Sequence, residues 1–146
     1  MMTETYNETI TRREFVRLLF EREPEELSTV IPAENLAFGE EATDRKTAAV
    51  LLHIFLLTEL KEPDESDISG ASILRDLYDC RVCVNHIAQV YLKGIMEACD
   101  YRELSKTGEP GDFLLFDGNK TITSEEAKTC RARALGSLPR LKNSAK

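Results

Sequence analysis

Residues 119–127 read NKTITSEEA, and residues 7–15 read NETITRREF. Both fit N-x-T-I-T-x-x-E, one near each end of the chain. A weaker copy, ATDRKTAAV, lies between them at 42–50. The phrase has the chemistry of a helix start. The second Thr is a good N-cap, because its hydroxyl can accept from a free N–H of the first turn. A Glu three residues on can accept from the cap's own N–H, which closes a capping box. Thr11 with Glu14 and Thr123 with Glu126 both fit. Ile10 can staple onto Phe15, and Ile122 onto Ala127. In the middle copy Thr43 reads as the cap. Lys46 follows it, so the box is lost, while Asp44 keeps a negative charge in the first turn. Recurrence of the phrase suggests internal duplication.

Composition bounds what such a chain can be. Its 146 residues suit one domain, or a few small repeats sharing one core. A hydrophobic content of 42% supplies that core. The net charge of −7 argues against broad nucleic-acid binding. The exceptions are local: Arg12, Arg13 and Arg17, and a basic tail at 131–146. No apolar run reaches the ~18 residues of a membrane span. Residues 1–20 are polar and charged, unlike a signal peptide. The expected location is cytoplasmic for the chain as it stands, or the cell surface if it is a module of a secreted protein.

Taken in order, residues 11–23 predict a helix with Phe15, Leu18 and Leu19 inward. Pro24 opens a short second helix to Val30. A loop around Phe38 and Gly39 follows. Residues 43–60 predict the most apolar helix, hence a central one. Residues 61–67 (KEPDESD) read as an acidic linker. Residues 72–92 carry apolar side chains at helical spacing, as one helix or as two with a break near Arg81. Lys93 and Gly94 form a C-terminal stop. A long loop leads through GEPG (108–111) to the tight turn at Asp117, Gly118 and Asn119. The last helix runs from Thr123 to Leu135, and Gly136 ends it.

Residues 84–96 (VNHIAQVYLKGIM), a loop, then 116–135 (FDGNKTITSEEAKTCRARAL) resemble one S-layer homology repeat. Residues 10–20 (ITRREFVRLLF) resemble the second half of such a repeat, and 42–55 a worn copy. The resemblance implies an all-α, compact helical bundle of degenerate helix-loop-helix repeats with pseudo-threefold symmetry. The partial repeats fall at about 6–31, 36–61 and 72–136 within a single domain, 1–146. It also implies a module that anchors proteins to cell-wall polysaccharide through the motif's Arg. Arg12 occupies that position in the first copy; Asp44 and Ser124 occupy it in the others. An anionic glycan needs cations, so most of the family's grip is lost. A surviving ligand site would be Arg12, Arg13 and Glu14, at a helix N-terminus, with Arg17 nearby.

Other constellations point elsewhere. Cys80, Cys83 and His86 form C-x-x-C-x-x-H. Helical spacing favours reduced, metal-free cysteines buried as small hydrophobes. Zinc would need ligands from Cys99 or Cys130, and a redox role is the other alternative. His53 among leucines suits burial with a hydrogen bond. Asp117-Gly118-Asn119 lacks the alternating oxygens of a calcium loop. The expectation is a non-enzymatic binding module without cofactor or metal. A protein partner comes first and cell-wall polysaccharide second. The rival is a small metal- or redox-responsive protein using Cys80 and Cys83; a third reading sends the basic tail to an acidic partner.

Overall fold

Among the described residues four helices carry the fold: α1 (Arg12–Phe20), α2 (Arg45–Thr58), α3 (Val84–Leu92) and α4 (Ser124–Leu135). The computed structural model describes residues 8–27, 29, 41–100 and 114–143. Asn7 of the first motif, the loop around Phe38 and Gly39, the end of the second expected helix and the GEPG turn lie outside the described residues. The helical class expected from the sequence holds. Among the described residues the regular strand content is one antiparallel pair of two-residue strands, β1 (Cys99–Asp100) and β2 (Leu114–Leu115).

The capping phrases do what their chemistry predicts. Thr11 accepts from the Glu14 N–H at 3.1 Å, and Glu14 returns the bond to the Thr11 N–H at 3.0 Å. Thr123 and Glu126 repeat the box at 3.1 and 2.9 Å. Helix α1 stops at Glu21, which takes a left-handed φ of 58°. Helix α4 stops at Gly136 with φ 87°, where glycine carries no penalty.

In the middle copy the cap is Asp44, not Thr43. The Asp44 carboxylate accepts from the Thr47 N–H at 2.9 Å. Thr43 instead points inward and is fully buried. Alignment with the other copies pointed to Thr43, but the adjacent Asp44 can cap as well, and the buried position at Thr43 decides for Asp44. Thr43 takes the place that Ile10 and Ile122 hold in the other copies, and all three are buried.

The three helix starts are bonded to one another in a closed cycle. The first N–H of α1, from Arg12, donates to the Glu41 carbonyl at 3.0 Å. That of α2, from Arg45, donates to Lys120 at 2.9 Å, and that of α4, from Ser124, to Glu8 at 2.8 Å. In each case the acceptor lies three residues before the next cap. Bridges Thr11–Ala42, Asp44–Thr121 and Thr9–Thr123 follow the same order. Orphan N–H groups of three helices are thereby satisfied by backbone.

Helix α2 packs against α1, α3 and α4 and is buried along most of its length. Phe20 of α1 meets Phe55 of α2 edge to face, with ring centroids 5.5 Å apart. The segment before α3 is not the α-helix expected from Ser72. It is three 3-10 turns, Ser69–Ile73, Leu77–Asp79 and Arg81–Cys83. Its backbone is drawn into tertiary bonds instead: the Arg75 N–H donates to Leu114 O at 2.9 Å, and Leu74 bridges Leu114. The second expected helix is likewise a 3-10 turn, Pro24–Leu27.

The expected acidic linker is tied down. Glu62 is held in a two-pronged ion pair by Arg140 at 2.8 Å and by Lys93 at 3.2 Å. The Glu65 N–H donates to the buried Gln89 side chain at 2.8 Å. The basic tail therefore finds an acidic partner within its own chain. Leu141 N–H donates to Gly94 O at 2.9 Å. A Cβ on Gly94 would lie 2.2 Å from the Leu141 carbonyl oxygen, so the tail crosses where only glycine fits.

Candidate functional site

Arg12, Arg13 and Glu14 stand at the start of α1 as expected, but their side chains are engaged within the chain. Glu14 is spent on the capping box. The Arg12 guanidinium lies 3.6 Å from Glu41. Arg13 sits between Glu23 and Glu25, at 3.2 Å from each. Arg17 donates to Glu23 at 2.9 Å. Hydrogen bonding and charge from Glu25 raise the Arg13 pKa. Glu25 and Glu23 are lowered in return, by bonds from Arg13 and Arg17 respectively. A sequence patch of three arginines is thus matched by carboxylates that the chain brings from 23–25 and 41.

The corrected cap shifts the middle copy by one residue. Arg45, not Asp44, stands where Arg12 and Ser124 stand. Its side chain is buried at 7% exposure. Its guanidinium donates to the carbonyls of Phe116, at 2.8 Å, and Glu97. It also covers the Phe116 ring at 4.6 Å. This arginine ties α2 to Glu97 and Phe116 and faces inward. Beside it, Asp44 has a lowered pKa: burial acts to raise it and is outweighed by hydrogen bonds from Thr47 and Lys46.

A cleft of about 340 Å³ is lined in part by Lys46, Asp76, Asp79, Cys80, Phe116 and Asp117. Its floor is held by Asp76, whose two carboxylate oxygens accept the Phe116 and Asp117 N–H groups at 2.7 Å each. That lets Asp117 adopt a left-handed φ of 62°. Lys46 bridges Asp44 at 3.0 Å and Asn119 at 2.5 Å. The expected turn at 117–119 is present, and it forms cleft wall. Sequence reading missed Asp76 and Lys46, because their role depends on pairing across some forty and seventy positions.

Cys80 and Cys83 are not reduced, as the helical spacing led us to expect; they form a disulfide. Cys80 is extended, with φ −117° and ψ 103°, and Cys83 precedes α3 in the helical region. That break in the helix brings the side chains together across a Cα separation of 5.2 Å, within the normal range. The same segment exposes three large apolar side chains: Ile73 at 51%, Tyr78 at 66% and Val82 at 83%.

A third cluster lies between α2 and α3. Buried His53 contacts Asp64 through Nε2 at 2.6 Å and His86 Nδ1 through its own Nδ1 at 2.9 Å. Asn85 donates to the other Asp64 oxygen at 3.2 Å. Burial, and then the neighbouring His53, push His86 down to about 4, so it is neutral at pH 7. His53 is thus buried with hydrogen bonds, and its two partners were not legible from spacing. Among the described residues, no group of three or more His, Cys, Asp or Glu is placed to hold a metal ion. No helix among them is long and apolar enough to cross a membrane.

Neither a family model nor a curated protein matches the chain. Among solved structures it is similar to the undecaheme cytochrome from the S-layer of Carboxydothermus ferrireducens, at 13% identity and a TM-score of 0.47. The match covers 97% of this chain and 23% of that one. So distant a likeness carries no inference about role.

Proposed function

We propose that the chain is a non-enzymatic binding module of S-layer-homology type. It is built from three degenerate units about a pseudo-threefold axis, and its job is association with a protein partner. The repeat reading is supported by the cycle at the helix starts, where each first N–H donates to the carbonyl three residues before the next cap. The observation that carries the function is the exposure of Ile73, Tyr78 and Val82 in one short segment beside the cleft. Large apolar side chains grouped at a surface mark contact sites. Asp76, Asp79 and Asp117 give the adjacent cleft an excess of negative charge over Lys46. A partner segment with an apolar stretch and a Lys or Arg fits it.

Wall polysaccharide is the second reading. Arg45 restores a second motif arginine, which favours it. Against it, Arg45 is spent on internal carbonyls and Arg12 faces Glu41. The disulfide favours an oxidising compartment, hence the cell-surface alternative over the cytoplasm.

The test is paired capture. The immobilised chain and its Tyr78→Ala/Val82→Asp variant are presented with host extract, and retained proteins are identified. A partner held by the parent and lost by the folded variant supports the reading; identical retention removes it. Co-sedimentation with purified cell wall tests the rival. Wild-type protein that pellets at low salt, and Arg12→Ala that does not, would place the wall polymer first.

A further inference from the structure

The Cys80–Cys83 disulfide is poorly suited to stapling the fold. A cross-link stabilises by closing a loop in the unfolded chain, and the effect grows with loop length. Here the sequence separation is 3, near the bottom of that scale. The bridge is also asymmetric. Cys80 is partly exposed and lines the cleft, while Cys83 is buried at 5% exposure. Cys83 directly precedes α3, and no side chain caps that helix start. A thiolate there meets the positive end of the helix. The other described cysteines differ: Cys130 is buried in the core with its thiol pushed up to about 11, and Cys99 lies in β1.

We propose that Cys80–Cys83 is a thiol–disulfide exchange site for a dithiol, with Cys80 Sγ as the sulfur attacked. An incoming thiolate bonds to Cys80 Sγ. The Cys80–Cys83 bond breaks, and its electron pair leaves on Cys83 Sγ, which takes a proton from solvent. The second thiol of the reductant loses its proton and attacks its own first sulfur. Cys80 is released as a thiolate and is protonated in turn. Two electrons and two protons pass from the dithiol, which becomes a disulfide, to the cysteine pair. Tyr78 precedes the pair and Val82 lies between its two cysteines, and both offer exposed contact area for a protein dithiol. The chemistry needs only the bridge and the cleft, so it stands apart from the module reading.

The test uses the full chain, folded and air-oxidised, in buffers of reduced and oxidised glutathione. Thiols are trapped and mapped by peptide mass. Cys80 and Cys83 should become reduced together, as a two-electron couple, while the helical circular dichroism stays constant. In Cys83→Ser, oxidised glutathione should add to Cys80 at least about tenfold faster than it adds to Cys83 in Cys80→Ser, as the difference in access requires. Three results overturn the proposal: a bridge that glutathione leaves oxidised until the chain unfolds, cysteines found reduced in the air-oxidised protein, or equal rates at the two positions. Should the variants fail to fold, the wild-type titration decides alone.

Discussion

Two regions of this molecule use their backbone in opposite ways. At the helix starts, residues 8–12, 41–45 and 120–124 send N–H groups to one another's carbonyls and turn Ile10, Thr43 and Ile122 into the core. In the 3-10 segment, residues 69–83, the helix is broken and Ile73, Tyr78 and Val82 face out. The first region spends its polar groups on itself and leaves little to offer a ligand. The second leaves apolar surface, a cleft and a disulfide at the surface. The difference teaches that the capping motif, which looks like the functional signature, is architectural here, and a segment outside it carries the exposed chemistry.

The comparison breaks if the helix-start arginine can be removed cheaply. Arg45→Ala takes donors from two carbonyls and removes the cation over Phe116. Hydrogen bonds to a charged group contribute about 1.5–3 kcal/mol and buried orphan carbonyls add to the loss, so we expect a cost of about 3 kcal/mol in urea denaturation. Arg12→Ala, whose side chain is 18% exposed and pairs with the solvent-facing Glu41, should cost less, about 1 kcal/mol. Equal losses would mean the two arginines are not used differently.

A second break point lies between α2 and α3. The folded His86 pKa of about 4 is below its ordinary 6.5, so between those values the unfolded chain binds the extra proton. Stability should be full above about pH 6.5 and fall as pH drops toward 4. Allowing for the partial exposure of His86, the loss is on the order of 1–2 kcal/mol. His86→Gln should flatten that limb. A steeper acid limb remains from Glu62, held at about 2 against its ordinary 4.5 chiefly by the Arg140 hydrogen bond. Its stabilisation is full above 4.5 and is lost as pH falls through 2. Denaturation midpoints from pH 8 to 3 would separate the two windows; an unchanged slope in His86→Gln removes the first.

The caps themselves sharpen the contrast at smaller scale. Thr123→Ala and Thr11→Ala should each cost about 1 kcal/mol, the usual loss for an N-cap. Asp44→Ala should match them, since Asp44 caps α2. Their urea midpoints would check all three; no change in any would mean that backbone bonding between the helix starts already holds those ends.

Sequence carried the local part of this fold well. Helix α4 runs from its box to its glycine as its residues dictate, and α1 begins where Thr11 and Glu14 place it. Those features depend on neighbours within four positions. The apolar spacing at 72–83 misled, because Leu74 and Asp76 satisfy residues 114–117 rather than a helix of their own. The arginine patch misled for the same reason: its carboxylates arrive from elsewhere in the chain. The disulfide pair was visible as C-x-x-C, but its oxidation depended on whether the chain made one helix or broke near Arg81, and spacing left that choice open.

The smallest expected effect tests the register of the middle copy. Thr43 is fully buried, and its hydroxyl oxygen has no hydrogen-bond partner among the described residues. Its backbone is satisfied: its N–H donates to Ile10 O at 2.8 Å, and its carbonyl accepts from Ile122 N at 3.0 Å. Valine keeps the shape and removes the unpaired hydroxyl, whose burial costs free energy. Thr43→Val should therefore raise stability by about 0.5 kcal/mol. A Thr43 that capped α2 would respond the other way, with a loss near that of Thr123→Ala. The sign of the shift in urea midpoint thus decides whether Thr43 stands with Ile10 and Ile122 or with Thr11 and Thr123. With it goes the equivalence of Arg45 and Arg12, since Arg45 follows the cap only if Asp44 is that cap.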